Sequence, residues 1–258
     1  MKPNSSLFGG IAGVIPARTW RRSVTLAAGA VLALAGIAAA APPSVRGRVT
    51  GQEKLVLDVY SEAAKPDSKR WSWREPSPLV GAQYRALSAV LSRDVCIAVT
   101  GAQGTPNPEP TLMSITGGRI SPTTIVVAPG QKLSFKNFDP FPHRLYMTGN
   151  HANGWKPDNV LPNTVRDWTA PSGQNRFEIR DEFTPSIRTF VVVDPLLVHM
   201  TYPARDGGFA FTLPSGDYGL QAYFAGRKVG RPVQFVAKDK STFDIKDALN
   251  LAEGGDSK

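Results

Sequence analysis

Cysteine is nearly absent: the 258-residue chain has one, Cys96. A single thiol leaves no internal disulfide, so the fold must be held by packing. Cys96 lies in "DVCIAVT", a β-branched run, where it reads as a buried, inert thiol or as one half of an intermolecular bridge. Catalytic signatures are missing too. There is no G-x-S-x-G, no H-E-x-x-H and no phosphate-cradling glycine loop, which leaves a non-enzyme as the reading. No clustered basic face with interleaved aromatics occurs, which argues against a nucleic-acid partner. The formal charge of +9 includes +4 from Lys2, Arg18, Arg21 and Arg22, so only +5 is scattered over the rest. Charge is wholly absent from "SVTLAAGAVLALAGIAAAAPPS", residues 23–44.

That uncharged stretch follows a basic start and ends in small residues, the pattern of a secretory signal peptide over 1–40. It is also long enough to span a bilayer, so a retained anchor is the other reading. Cleavage after Ala40 suits a peptidase better than cleavage after Ala41, which would put Pro42 next to the scissile bond. "TWRRSVTL" carries twin arginines, although Thr25 stands where a Tat signal favours an apolar residue. The chain is expected to be periplasmic or extracellular, exported by Sec or by Tat.

Gly and Pro (24 and 22 residues) punctuate short β-branched or alternating runs, so the remainder reads as all-β. Strands are expected at 45–50, 54–60, 94–100, 112–116, 123–127, 132–137, 143–147, 176–180, 187–193, 197–202, 208–213, 217–224 and 232–237. Residues 61–78 read as a polar linker and 79–92 as a short helix, from Val80, Tyr84, Leu87 and Leu91 at helical spacing. The Pro-rich 101–110 suits an extended connector. The charged tail, 239–258, is expected to hold a helical turn near Ile245–Leu251. Boundaries follow at 41–100, 101–195, 196–238 and 239–258.

"ISPTTIVVAPGQKLSFKNFDPFPHRLYMTG" carries the sharpest pattern. Pro129–Gly130 fits the centre of a type II turn. Leu133 and Phe135 alternate with Lys132, Ser134 and Lys136, as in a half-buried strand. After "NFDPFP", His143 shares a face with Leu145 and Met147, which puts it at the end of the core beneath the turn.

This run resembles the plastocyanin-like cupredoxins, whose V-x-x-G-x-x-V-x-F-x-N-x-D-x-x-x-H pattern leads to a copper-ligating histidine. Val127, Gly130, Leu133, Phe135, Asn137, Asp139 and His143 match it. Downstream, "DGGFAFTLPSGDYGL" is similar to the transthyretin- or carboxypeptidase-regulatory-like end of exported methylamine-utilisation-type proteins. Asp206, Gly207, Phe209, Phe211, Leu213, Pro214, Gly216, Tyr218 and Leu220 match it, and "GRVTGQEKLVLDVYSEA" resembles the opening strands of that module. The resemblance implies a Greek-key cupredoxin-like sandwich or barrel combined with a small transthyretin-like β-sandwich, whose N- and C-terminal strands pair.

The family's copper site needs a Cys thiolate, a second His and usually a Met on a downstream loop. The corresponding stretch, "RFEIRDEFTPSIRTFVVV", has none of them, so the resemblance implies a degenerate copper site. Asp181–Glu182, between Arg180 and Arg188, read as an ion-paired surface. A non-thiolate site could still be built from His143, Met147 and His151, with copper as the metal. His199, between Val198 and Met200, is expected to point outward. Trp155 and Trp168 flank "KPDNVLPNTVRD", an irregular loop that either forms a binding lip or lies over Trp caps of the core. Trp71 and Trp73, two apart, would share a contact face. The expectation is an exported, non-catalytic binding or scaffold protein of the cell envelope with an envelope protein as partner, using loops 101–110, 138–160 and 168–188. It has no cofactor; the alternative is a copper-handling protein with its site at His143.

Overall fold

The computed structural model describes residues 44–55, 89–148, 155–173, 175–238, 242–246 and 248–254. The chain divides into Met1–Ala39 and Ala40–Lys258, and the leader falls outside the described residues, as do Trp71, Trp73 and His151. No helix among the described residues is long and apolar enough to cross a membrane.

The chain is all-β. Its strands are β1 (Ser44–Thr50), β2 (Val95–Thr100), β3 (Thr111–Thr116), β4 (Arg119–Ser121), β5 (Thr124–Val127), β6 (Lys132–Asn137), β7 (His143–Met147), β8 (Asp158–Val160) and β9 (Val165–Thr169). They continue with β10 (Asn175–Asp181), β11 (Arg188–Val193), β12 (Leu197–Thr201), β13 (Gly208–Thr212), β14 (Gly216–Phe224), β15 (Arg227–Ala237), β16 (Thr242–Asp244) and β17 (Leu249–Asn250). The only α-helix among the described residues is one turn, Leu91–Asp94.

Strands β3 to β11 form a sandwich of two sheets, ordered β4-β3-β6-β9 and β5-β11-β10-β7-β8. The chain repeatedly crosses between them, and β3–β6 and β5–β11 are parallel pairs among antiparallel ones. Such crossing is a Greek-key arrangement, in which neighbours in space are distant in sequence. The alternation of β6 has the expected effect: Leu133 and Phe135 are buried with Met113, Ile115, Ile125, Leu145, Ile179 and Val191 in one core. The Pro129–Gly130 turn also forms as expected, with Gly130 at φ 83° and Gln131 N–H donating to Ala128 C=O at 3.1 Å.

A second core joins the two ends of the chain. β1 pairs with β13, with Val45 opposite Phe211, so the expected meeting of N- and C-terminal strands occurs. Sheets β13-β1-β16 and β12-β2-β14-β15 bury Val45, Val49, Ile97, Val99, Phe209, Phe211, Leu220 and Phe235. The two cores meet along a seam of Cys96, Ala98, Val126, Val192, Leu197 and Tyr223. This explains why "RTFVVV" is buried at every position: one face of β11 fills the sandwich, while Phe190 and Val192 on the other face the second body.

Several expectations change. Of 54–60, Lys54 ends a 3-10 turn, Gln52–Lys54, Leu55 follows it, and the rest lies outside the described residues. Most of the helix expected over 79–92 lies outside the described residues; of its described end, Ala89 and Val90 are not helical and Leu91 begins the Leu91–Asp94 turn. The 156–167 loop contains β8 and the start of β9, and the short edge strand β4 was not anticipated. The tail has strands in place of a helical turn: β16 and β17 run parallel to β1, and Leu249 and Leu251 are buried against it. Tertiary pairing with β1 overrides helical spacing there, because β1 offers a free edge and a hydrophobic face. Pro214–Gly216 forms a corner. β13 and β14 belong to different sheets, and Tyr218 O–H donates to Pro214 C=O at 3.1 Å across the bend.

Candidate functional site

His143 opens β7 at the end of the sandwich and is completely buried. Local chemistry puts it there. The Asn137 side chain closes the 138–142 turn, donating to Phe141 C=O at 2.8 Å and Val160 C=O at 2.9 Å, and accepting from Asp139 N–H at 2.8 Å. A buried amide that uses donors and acceptor alike fixes the turn's shape. Pairing of His143 with Val160 of β8 then sets the strand register.

Both ring nitrogens of His143 face carboxylates. Nδ1 is 2.7 Å from Asp181 Oδ2, and Nε2 is 3.0 Å from Asp139 Oδ2. Each acid is buried and engages backbone amides as well. Asp139 accepts from the N–H groups of Gly117 and Gly118, at 2.8 Å for the latter. Gly117 and Gly118 both have positive φ, as the two-residue loop between β3 and β4 requires. Asp181 Oδ1 accepts from Phe183 N–H at 2.6 Å and Thr184 N–H at 2.8 Å. Ser186 O–H donates to Gly118 C=O at 2.9 Å. Three turns, 117–118, 138–142 and 182–187, are thus tied around one imidazole.

Burial alone would push the His143 pKa down, but hydrogen bonds and charge from Asp181 and Asp139 outweigh it and hold the imidazole above its ordinary 6.5. Burial likewise opposes ionised Asp139, yet the Gly118 and Gly117 amides and His143 bring its carboxyl below the ordinary range. When His143 is protonated, an N–H on each nitrogen satisfies both acids, giving an imidazolium between two carboxylates.

Among the described residues, His143 is engaged on both nitrogens, and His151 of the expected set lies outside them. A metal at either nitrogen needs its lone pair and would have to displace both the proton and the carboxylate engaged there. The two acids lie on opposite sides of the ring, so the three side chains do not converge on one point. No group of three His, Cys, Asp or Glu side chains among the described residues is placed to hold a metal. Met147 is buried in the sandwich core on the same strand.

Asp181 is the residue that sequence reasoning misassigned. It is buried beneath the sheet end, not on an ion-paired surface, while Glu182 pairs outside with Arg144 at 3.3 Å. Arg188 is also buried, its Nε 2.8 Å from Glu178 Oε1. The signal that could have found Asp181 was alternation: in "RFEIRD", Phe177, Ile179 and Asp181 share the inward face.

The remaining candidates are dispersed. Trp155 is only 6% exposed, packed on Phe135 with Arg166 over its ring at 4.0 Å, so its surface is spent on the core. Trp168 is half-buried, edge-on to Phe177. His199 turns inward onto Phe211, with ring centroids 5.2 Å apart, while Val198 is exposed. A register shift between Leu197 and His199 on β2 exchanges the expected faces. Cys96 lies in the seam between the cores, away from His143, and burial pushes its thiol up to about 12.

No family model matches the chain, and no curated protein matches it. Solved structures do resemble part of it. A reduced amicyanin variant aligns at 15% identity over 38% of this chain and 99% of its own, with a TM-score of 0.31. Amicyanin from Paracoccus versutus aligns at 11% identity over 38% and 98%, with the same TM-score. The copper-containing nitrite reductase of Thermus scotoductus SA-01 aligns at 15% identity over 38% of this chain and 25% of its own, with a TM-score of 0.30. At this level the likeness concerns β-sandwich folds and carries nothing about chemistry.

Proposed function

We infer that this is an exported, non-catalytic binding or scaffold protein of the cell envelope, with a cupredoxin-like sandwich in which an ion cluster stands where a metal centre would be. The carrying observation is that both nitrogens of a fully buried His143 are held by carboxylates. Displacing a proton with copper there would break one of two buried ion pairs, a loss of about 3–5 kcal/mol. The stretch resembling the ligand loop supplies Asp181 and no sulfur. Export rests on the basic, then apolar, then small-residue leader. The finer likeness to methylamine-utilisation-type proteins belongs to the same reading, as does an envelope protein partner.

Calorimetric copper titration of the metal-stripped chain from residue 41, with His143→Ala beside it, tests the reading. The expected result is no stoichiometric copper in either. Tight, equimolar copper lost on the substitution would establish the alternative, a copper-handling protein with a non-thiolate site at His143. Fractionation of cells expressing the full chain tests export; a wholly cytoplasmic product with an intact leader counts against it.

A further inference from the structure

We propose that the end of the sandwich above His143 is a docking face for a protein that presents an apolar pocket edged with carboxylates. The proposal rests on the non-catalytic binding reading and names its surface and partner chemistry. Among the described residues, three phenylalanines are exposed: Phe138 at 44%, Phe141 at 43% and Phe183 at 54%. All three belong to the turns tied to the buried imidazole. Phe138 and Phe141 lie in the turn that Asn137 closes, and the Phe141 ring is 5.0 Å from that of His143. The Phe183 N–H is held by the same Asp181 that binds His143. Leu161, 53% exposed, directly follows the residue paired with His143.

Single exposed apolar side chains are ordinary, but aromatic residues gathered at one end and mounted on locked turns are not. Aromatic anchors dominate protein interfaces, and a preorganised mount avoids ordering costs on binding. The cluster beneath supplies that rigidity and takes no other visible part at the surface.

The charge of this end selects the partner. Asp139 and Asp181 turn inward, and Glu182 is taken by Arg144. Lys136 extends over Phe138, its Nζ 4.7 Å from the ring centroid, and Arg119 stands exposed beside Gly118. The accessible balance is therefore positive. A second copy docked face to face would set these cations against themselves, because a two-fold contact repeats each patch. An anionic bilayer wants a larger basic cluster, since each cation near it contributes only about 1 kcal/mol. A protein pocket with an acidic rim meets both the aromatics and the two cations.

A random peptide library displayed on phage, panned in EDTA on the chain from residue 41, tests this. A Phe141→Ser/Phe183→Ser chain serves for counter-selection, and enriched peptides are synthesised with a fluorophore for anisotropy. Expected are peptides combining bulky apolar residues with Asp or Glu, whose Kd weakens about tenfold on either Phe→Ser change. Binding should also weaken with Lys136→Glu and with added salt. Both phenylalanines are exposed, so an unchanged urea midpoint is the folding control. Absence of enrichment, or peptides indifferent to these substitutions, overturns the proposal. So does a sedimenting dimer dissolved by Phe183→Ser, which would make the partner a second copy, or flotation with phosphatidylglycerol vesicles, which would make it a membrane. Because EDTA removes metal from these assays, copper found at His143 would sink the non-catalytic reading and leave the peptide result to be judged separately.

Discussion

The end of the sandwich around His143 and the strand pair around His199 enclose a histidine in opposite ways, the first fully buried and the second half-buried. At the first, desolvation is outweighed by two carboxylates, and the ring holds its proton above the ordinary value. At the second, the ring lies on Phe211 with no charged partner among the described residues, and burial depresses its pKa. Burial alone does not decide the state of a titratable group; the sign follows from what accompanies it into the low-dielectric interior.

The comparison breaks most visibly at Asp181. Asp181→Ala leaves the imidazolium half-paired and two turn amides without an acceptor, so unfolding free energy from urea titration should fall by about 3–5 kcal/mol. A loss below about 1 kcal/mol would mean that the cluster is not ionic.

Titration sharpens it next. The folded-state value of His143 lies above 6.5, so its contribution to stability is complete below 6.5 and fades as pH rises through the folded value. Asp139 works the other way: its contribution is present above its ordinary 3.8 and fades as pH falls through the depressed folded value. The cluster therefore supports the fold best between those ordinary values. His199, with its value lowered, costs stability as pH falls below 6.5, because the unfolded chain takes up a proton that the folded one resists. Nitrogen-detected NMR of the two imidazoles should show His143 still protonated above pH 6.5 and His199 already neutral below it. Matching titration curves would remove the distinction.

His199→Leu should change stability by no more than about 1 kcal/mol, since an apolar side chain suits a site without a partner. A loss as large as that of Asp181→Ala would reveal a polar role for His199. The smallest effect belongs to a third kind of site, where charge is present and burial only partial. Lys132 and Asp167 lie 2.6 Å apart with side chains nearly half exposed, and Lys132→Ala should cost under about 1 kcal/mol by thermal unfolding.

The strands of the sandwich were legible because their side chains alternate against a single core. "KLSFKN" shows its buried and exposed faces in order, and "HRLYM" places His143 inward beside Leu145. The tail was not legible in this way. The stretch around Ile245–Leu251 reads by itself as a helical turn, and only the edge of β1, some two hundred residues earlier in the chain, makes strands of its neighbourhood. The site divides similarly. His143 could be picked out from its own motif, whereas alternation turns Asp181 inward without naming its partner, which is 38 residues away.

The amino-acid order by itself determined that this protein is all-β, held without internal disulfides, and that His143 lies under the 138–142 turn. Those features depend on alternation, turn chemistry and composition, which act over a few residues. Only the tertiary structure decided that His143 is clasped between Asp139 and Asp181 and that His199 faces inward. The charge state of a buried ring depends on which groups the β7–β10 pairing and the β12 register bring against it, and no local pattern records that.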